Sequence, residues 1–163
     1  MLVVVMGVAG VGKTTVGELV ADELGLPFHD ADGFHSEENR RKMAAGIPLT
    51  EEDREPWLRD LARRMREWEA EDGAVVACSA LRRHHRDVLR GAGPVRFVWL
   101  DAAVATIQSR LTSRKGHYMP PELLDSQLAT LEPPGPDEAV RVEAVGTPQE
   151  TARAVGQALA LSR

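Results

Sequence analysis

The residues with the clearest chemistry form a glycine-rich segment near the start of the chain. Residues 7–15 read GVAGVGKTT, which matches the pattern G-x-x-x-x-G-K-[ST]. In such a segment, backbone N–H groups turn toward a phosphate, the lysine reaches its outer oxygens, and the threonine hydroxyl can ligate Mg²⁺. The segment therefore predicts a nucleoside triphosphate site. The candidate contacts are Gly7, Gly10, Val11, Gly12, Lys13, Thr14 and Thr15.

Two aspartates follow a short apolar segment at residues 27–29. Asp32 is a candidate to position an acceptor hydroxyl in line with the γ-phosphate and to take its proton. Asp30 is a candidate to hold Mg²⁺ through water. The acidic residue that usually serves this purpose follows the third strand, but here the apolar run at residues 74–78 is followed by Ser79. The alternative is an Asp-rich turn whose side chains only bond their own backbone.

A polar segment follows the third apolar run as well. Ser79 and Arg82 come first and are expected to face the cleft, where a guanidinium would suit an anionic substrate. The rest of the charged stretch, residues 83–86, is expected to be mostly solvated. His84 and His85 do not predict a metal site, since neighbouring residues on a helix point about 100° apart and no carboxylate or cysteine stands at ligand spacing.

A basic segment at residues 110–121 ends in glycine and proline residues. A flexible cationic lid there would exclude water from the nucleotide and stabilise charge on the transferring phosphoryl group. Arg110 and Arg114 stand four residues apart and can share one face of a helix. The alternative is an exposed basic helix end that the helix dipole favours.

The elements around these segments must bring them together. Apolar, strand-like runs alternate with helical patterns, which predicts a five-stranded parallel sheet with right-handed crossovers in a three-layer α/β/α fold. The runs lie at residues 2–6, 27–29, 74–78, 95–100 and, more weakly, 139–142. Ligands collect at the carboxyl ends of such strands. We therefore expect the glycine-rich loop, the aspartates and Ser79 to meet at one edge of the sheet.

A long insertion, at about residues 33–73, separates the second and third runs and contains two helical patterns. Ser36 is predicted to cap the first helix, and Thr50 with Asp53 resembles a capping box for the second. Residues 147–150, TPQE, predict the start of a final helix with proline at its first position.

Length and composition exclude several classes of protein. The 163 residues fit one domain, 1–163, and carry a formal net charge of −5 without a purely basic stripe, which argues against an obligate nucleic-acid partner. The single cysteine, Cys78, excludes an internal disulfide and fits a reducing compartment. No apolar run approaches the length of a membrane span, and no cleavable leader pattern is visible. We therefore expect a cytoplasmic protein with no membrane partner.

The chain resembles the gluconokinases, small P-loop carbohydrate kinases that are related to the shikimate kinases. The likeness extends over essentially the whole length and depends on six segments. They are MGVAGVGKT at residues 6–14, DADGFH at 30–35, KMAAGIPL at 42–49, DREPWL at 53–58, CSALR at 78–82, and RL with RKGH within 110–117. Many kinases share the first segment, whereas the middle four segments together are typical of a much smaller group of proteins.

The resemblance implies transfer of the γ-phosphate of ATP to the 6-hydroxyl of D-gluconate. It also implies the strand order 2-3-1-4-5, a substrate-binding helical insertion, a mobile lid at about 110–121 and, commonly, a homodimer. Gluconate is a monoanionic polyol, so its site should combine a cation for the carboxylate with short polar groups for the hydroxyls.

Several residues of this sequence match those needs. The candidate substrate contacts are Asp32, His35, Lys42, Arg54, Ser79, Arg82, His117 and Gln127. The candidate catalytic residues are Lys13, Asp32 and Arg114, and the candidate further contacts to ATP are Arg110, Arg114 and Pro148. Arg54 also fits a role in fixing its own loop, and Lys42 and Gln127 also fit surface positions.

Three alternatives to a gluconokinase stay open at this point. A shikimate kinase is less favoured, because that relative has a glycine run where this chain has Ser79, Ala80 and Leu81. A nucleoside monophosphate kinase would share the fold and the lid but needs a base-binding pocket that the insertion does not reveal. A nucleotide-binding regulatory module without turnover would not need the acceptor-side carboxylate of Asp32.

Overall fold

A parallel sheet forms the centre of the molecule. Within residues 1–113 and 121–161, which the computed structural model describes, it has five strands in the order β2-β3-β1-β4-β5. The strands are β1 (Leu2–Met6), β2 (Phe28–Asp30), β3 (Ala74–Ala77), β4 (Val95–Asp101) and β5 (Ala139–Glu143). In the register of the sheet, Val4 lies between Val76 on β3 and Phe97 on β4. The predicted fold class and strand order are confirmed.

Helices connect the strands. They are α1 (Lys13–Leu24), α2 (Glu37–Ala44), α3 (Glu51–Ala70), α4 (Arg83–Arg90), α5 (Val104–Ser113), α6 (Pro121–Thr130) and α7 (Pro148–Leu161), with a short 3₁₀ helix at Ala31–Phe34. No helix in the described ranges is both long and apolar enough to cross a bilayer.

Both faces of the sheet are covered by helices. Along β1, Val3 and Val5 pack in the core that includes α1 and α7, whereas Leu2, Val4 and Met6 pack in the core on the side of α3. Successive side chains of a strand point to opposite faces, so a strand buried on both sides needs a continuous apolar run. This requirement explains the uninterrupted sequence of β1 and gives the three-layer arrangement.

The predicted helix starts in the insertion are also confirmed. The Ser36 hydroxyl accepts a hydrogen bond from the Asn39 N–H at 3.1 Å at the start of α2. At the start of α3, Thr50 and Asp53 bond each other's backbone N–H groups in a capping box. These two caps fix where the insertion turns back over the sheet.

The prediction that the charged stretch at residues 83–86 is mostly solvated is wrong for His85 and Arg86, which are 1% and 0% exposed. The Arg86 guanidinium donates to the carbonyls of Ala80, Leu81 and Glu132 and to the Glu138 carboxylate. A buried guanidinium is stable only when its charge is paired and its donors are satisfied. Backbone carbonyls and one carboxylate supply both conditions here.

Candidate active site

One cleft of about 580 Å³ opens at the carboxyl ends of β1, β2 and β3. It brings the glycine-rich loop together with Asp30, Asp32 and Ser79, as the strand-end argument predicted. Its lining comprises residues 9–16, Asp30, Asp32, residues 77–79, Arg110, Gly146, Pro148 and Thr151. Two of the acceptor candidates, Asp32 and Ser79, therefore share a cavity with the nucleotide candidates, whereas His35 lines a second cavity of about 400 Å³.

The glycine-rich loop leads directly into helix α1. Gly12 caps this helix with φ of 102° and makes no side-chain cap hydrogen bond. The N-terminus of α1 therefore opens at the cleft, and the helix dipole places partial positive charge there, which suits an anion. Gly7 has φ of 146°, and a Cβ there would lie 2.7 Å from the Leu100 carbonyl oxygen, so a side chain would displace the loop.

Lys13 reaches back across this loop. Its ammonium donates to the Val8 carbonyl at 3.0 Å, and its side chain lines the cleft. The charge is therefore held above the curve of the loop, where the outer phosphates of a nucleotide would lie.

Thr14 and Asp30 form a pair of oxygen groups on the cleft wall. The Thr14 hydroxyl donates to Asp30 Oδ2 at 3.0 Å, while Asp30 Oδ1 accepts the Asp32 N–H at 3.0 Å. One carboxylate oxygen thus fixes the turn, as in the alternative interpretation of the sequence, and the other faces Thr14. A hydroxyl and a carboxylate are ligands that suit Mg²⁺ together with phosphate oxygens and water. Within the described ranges there is no cluster of three or more His, Cys, Asp or Glu residues that could hold a metal ion without such help.

The Asp32 carboxylate lines the same cleft as this pair. Its side chain is 72% exposed, and partial desolvation by the surrounding protein raises its pKa above the usual aspartate value. The charge of Lys13 opposes that rise, and the charge of Asp30 adds to it. The charge of Lys13 therefore acts on the Asp32 carboxylate across the cleft lining that they share.

His35 lies behind Asp32 and is only 7% exposed. Its ring stacks on Trp57 with centroids 4.0 Å apart, and its Nε2 lies 4.0 Å from Asp32 Oδ1. Burial, reinforced by the charges of Arg54 and Arg40, lowers the pKa of His35 to about 4. The imidazole is therefore neutral at pH 7.

The tautomer of His35 follows from its neighbour Asn39. The Asn39 amide nitrogen donates to the Asp53 carbonyl at 2.9 Å, which fixes the orientation of the amide, and the same nitrogen lies 3.3 Å from His35 Nδ1. Nδ1 is therefore the acceptor and Nε2 carries the proton. This N–H faces the side of the cleft where Asp32 lies.

Arg54 and Arg82 converge on one carboxylate, that of Glu51. Glu51 Oε1 lies 3.1 Å from Arg54 Nη1 and 3.3 Å from Arg82 Nε. Glu51 Oε2 lies 2.9 Å from Nε2 of the buried His85. The start of α3 and the turn between β3 and α4 are therefore joined at a cluster of two arginines, one glutamate and one histidine.

Two sequence-predicted acceptor contacts are engaged elsewhere in the structure. Lys42 of α2 pairs with Asp53 of α3 at 2.9 Å. Gln127 on α6 accepts the Ala9 N–H at 2.7 Å, so its amide oxygen contacts the glycine-rich loop. Arg114 and His117 lie outside the described residues.

The far end of the cleft contains the predicted contacts to the nucleoside. Arg110 donates to the Val11 carbonyl at 3.1 Å and to the Ala144 carbonyl at 2.6 Å. Pro148 and Gly146 line the wall beside it. These residues therefore line the same cleft as the glycine-rich loop.

Sequence reasoning missed Glu51 and the contact between Gln127 and the loop. Glu51 stands in the first turn of α3, where an acidic residue is ordinary because it favours the helix dipole. Its partners Arg82 and His85 lie more than 30 residues away in the chain, so no local pattern connects them.

A parallel sheet of this order, with a glycine-rich phosphate loop after β1 and a carboxylate after β2, defines a P-loop kinase. The family model for shikimate kinase matches residues 9–145.

Comparison with proteins of higher sequence identity identifies the family within the P-loop kinases. A probable gluconokinase of Mus musculus is 43% identical over 180 residues, covering 97% of this chain and 97% of that protein. A gluconokinase of Gluconobacter oxydans (strain 621H) is 50% identical over 139 residues, covering 84% and 78%. The crystal structure of a gluconokinase from Sinorhizobium meliloti 1021 has a TM-score of 0.90 at 42% identity and covers 98% of this chain and 91% of that chain. The chain belongs to the gluconokinase family.

Proposed function

We propose that this kinase transfers the γ-phosphoryl group of ATP to the 6-hydroxyl of D-gluconate, giving 6-phospho-D-gluconate and ADP. The observation that carries the proposal is the shared cleft of Lys13 and Asp32, in which the charge of one acts on the pKa of the other. The gluconokinase relatives give the class of acceptor.

The glycine-rich loop and α1 would bind ATP, the phosphoryl donor. Their N–H groups and Lys13 would hold the β- and γ-phosphates and stabilise charge as it develops there. Thr14 and Asp30 are the residues that would hold Mg²⁺, which supplies charge neutralisation at the phosphates when bound.

Residues that follow β2 and β3 would bind gluconate, the phosphoryl acceptor. Asp32 would orient the 6-hydroxyl and accept its proton as the new O–P bond forms and the bond from the γ-phosphorus to the ADP oxygen breaks. The Nε2–H of His35 would donate to an acceptor oxygen. Arg54 and Arg82 would bind the carboxylate, because charge-assisted hydrogen bonds from guanidinium groups suit a planar anion.

A coupled assay of ADP release tests this function against its alternatives. Gluconate, shikimate and nucleoside monophosphates are supplied in turn with ATP and Mg²⁺, and turnover is expected with gluconate. Background rates with gluconate would contradict the proposal. Activity on another acceptor would identify a different kinase, and ATP binding without any turnover would favour a regulatory module.

A further inference from the structure

Glu51 is the only acidic residue placed between the two arginines assigned above to the acceptor carboxylate, among the residues that the structure describes. We propose that Glu51 is a positioning residue for acceptor binding, which holds Arg54 and Arg82 in the arrangement that receives one carboxylate. This inference rests on the proposed function, since the anion in question is the carboxylate of gluconate.

The first support is that the two oxygens of the Glu51 carboxylate contact different partners. Oε1 faces both guanidinium groups, and Oε2 is anchored by His85 at 2.9 Å. His85 is 1% exposed, and its Nδ1 accepts the Arg82 N–H at 3.1 Å, so Nε2 carries the proton that is donated to Glu51. A buried donor therefore holds one oxygen of the carboxylate, and the other oxygen faces both arginines.

The second support is the part of Arg82 that Glu51 engages. The contact is made at Nε, at 3.3 Å and without hydrogen-bond geometry, so it is an ion pair. The two terminal nitrogens of Arg82 have no partner in residues 1–113 and 121–161, and the side chain is 44% exposed. The terminal edge of a guanidinium is a double donor that matches a carboxylate. Glu51 thus contacts Nε of Arg82, and the two terminal nitrogens stay available to a ligand.

The third support is electrostatic. Two arginines without a counter-charge repel each other, and Glu51 reduces their net charge from +2 to +1, which matches a monoanionic acceptor. The pKa of Glu51 lies below the usual glutamate value: burial opposes ionisation, but the hydrogen bond from His85 and the charges of Arg54 and Arg82 outweigh it. Glu51 therefore stays ionised at neutral pH.

Glu51→Gln tests this role, because it removes the charge and preserves the size of the side chain. The matched control is Glu55→Gln, one turn further along α3, where Glu55 pairs with His84 of α4 at 2.8 Å and with Arg59 at 3.0 Å. Both variants lose a contact between α3 and a histidine of α4. Only Glu51→Gln loses the contact with the two arginines.

Initial rates are measured with varied gluconate and varied ATP. We expect Glu51→Gln to raise the KM for gluconate about tenfold, the loss of roughly one charge-assisted contact. We expect kcat and the KM for ATP to stay within about twofold of the original values, because the phosphate loop is untouched. Glu55→Gln should change none of the three constants.

Glu51 could hold the two arginines for the carboxylate, or it could only hold α3 in place. D-Glucitol distinguishes these two roles, because it keeps the hydroxyl groups of gluconate and replaces the carboxylate with a neutral CH₂OH. Its competitive inhibition constant should be the same for Glu51→Gln and the unaltered enzyme. An unchanged gluconate KM, a parallel loss of kcat and ATP affinity, or equal weakening of gluconate and D-glucitol would overturn the inference. Absence of gluconate turnover by the unaltered enzyme would instead contradict the proposed function, before any variant is compared.

Discussion

At the scale of single residues, Asp32 combines two influences that suit a proton acceptor. Desolvation in the cleft raises its pKa, which makes the carboxylate a stronger base than a fully hydrated aspartate. Lys13 opposes the rise and keeps the ionised form favourable. The neutral His35 beside it adds a donor without adding charge. Asp32 and Lys13 thus offer a base and a cation within one cleft, and His35 offers a neutral donor 4.0 Å from the Asp32 carboxylate.

Asp32→Asn removes the base and keeps the shape of the side chain. We expect kcat to fall by on the order of 10²-fold or more, because the acceptor hydroxyl loses its proton acceptor and its orientation. The KM for ATP should stay nearly unchanged, since the phosphate loop does not depend on this carboxylate. Steady-state kinetics of the purified variant check both numbers, and a near-normal kcat would show that Asp32 has another role.

Arg82→Ala tests the cationic end of the acceptor site. We expect the KM for gluconate to rise by more than about tenfold, because a charge-assisted contact to the carboxylate is lost. Arg83→Ala is the control, since Arg83 is exposed and stands next to Arg82 at the start of α4. Equal effects of the two variants on the gluconate KM would argue against a direct contact from Arg82.

At the scale of elements, α6 supports the phosphate loop. The Gln127 side chain holds the Ala9 N–H at 2.7 Å, and Leu124 of the same helix packs in a small apolar cluster with Val8 and Ile107. The loop is therefore held by a helix that follows it by more than 100 residues in the chain. We therefore expect Gln127 to act on the donor side, whereas the sequence predicts an acceptor contact.

Gln127→Leu distinguishes the two roles. Loss of the hydrogen bond to Ala9 should raise the KM for ATP about fivefold, the effect of roughly 1 kcal/mol, and should leave the KM for gluconate unchanged. Gln108→Leu, at an exposed position on α5, is the control and should change neither constant. If the gluconate KM alone rises in Gln127→Leu, the sequence prediction of an acceptor contact is the better one.

A second link between elements joins α4 to the segment before β5 through Arg86 and Glu138. The Glu138 side chain is 6% exposed, and hydrogen bonds from Arg86 and then Arg90, against the effect of burial, lower its pKa to about 2. Because this value lies below that of the unfolded chain, the stabilisation is present above about pH 4.5 and is lost as the pH falls toward 2. The contribution is on the order of 3 kcal/mol.

Glu138→Gln should therefore lower the free energy of unfolding at pH 7 by about 3 kcal/mol, since the buried Arg86 loses its counter-charge. The difference between the variant and the original protein should shrink near pH 3, where Glu138 begins to take up a proton in the original protein. Urea unfolding at both pH values measures the two differences. Asp137→Asn, at an exposed neighbouring position, should show neither.

At the scale of the whole molecule, the sequence predicts the sheet and the position of the glycine-rich loop well. The apolar run of β1, the glycine-rich loop and the capping box at Thr50 and Asp53 are local patterns, and local patterns can be recognised without knowing the fold. The meeting of Asp32 and Ser79 with the loop follows from one topological rule about strand ends.

Other features depend on contacts that the chain order does not reveal. Arg86 was expected in solvent because most charges are solvated, and it is buried because Glu138, 52 residues away, neutralises it. Glu51 similarly acquires its partners from α4 only when the insertion folds over the turn after β3. Such pairings are tertiary, so the residue types and their spacing cannot identify them in advance.

Nucleotide binding should also be visible in the stability of the molecule as a whole, because a ligand that binds only the folded state stabilises it by mass action. ATP with Mg²⁺ at a concentration of about 100 Kd should add about 2.7 kcal/mol to the free energy of unfolding, which corresponds to a rise of about 5 to 10 °C in Tm for a chain of this size. Differential scanning calorimetry measures this shift.

Three controls separate the parts of the donor site. Lys13→Met should abolish most of the shift, since it removes the charge that lies above the loop. Asp30→Asn, or removal of Mg²⁺ by a chelator, should reduce the shift without abolishing it, because the loop N–H groups and Lys13 still bind the phosphates. A full shift in the chelated sample would contradict a Mg²⁺ site at Thr14 and Asp30, and a full shift in Lys13→Met would place the triphosphate away from the loop.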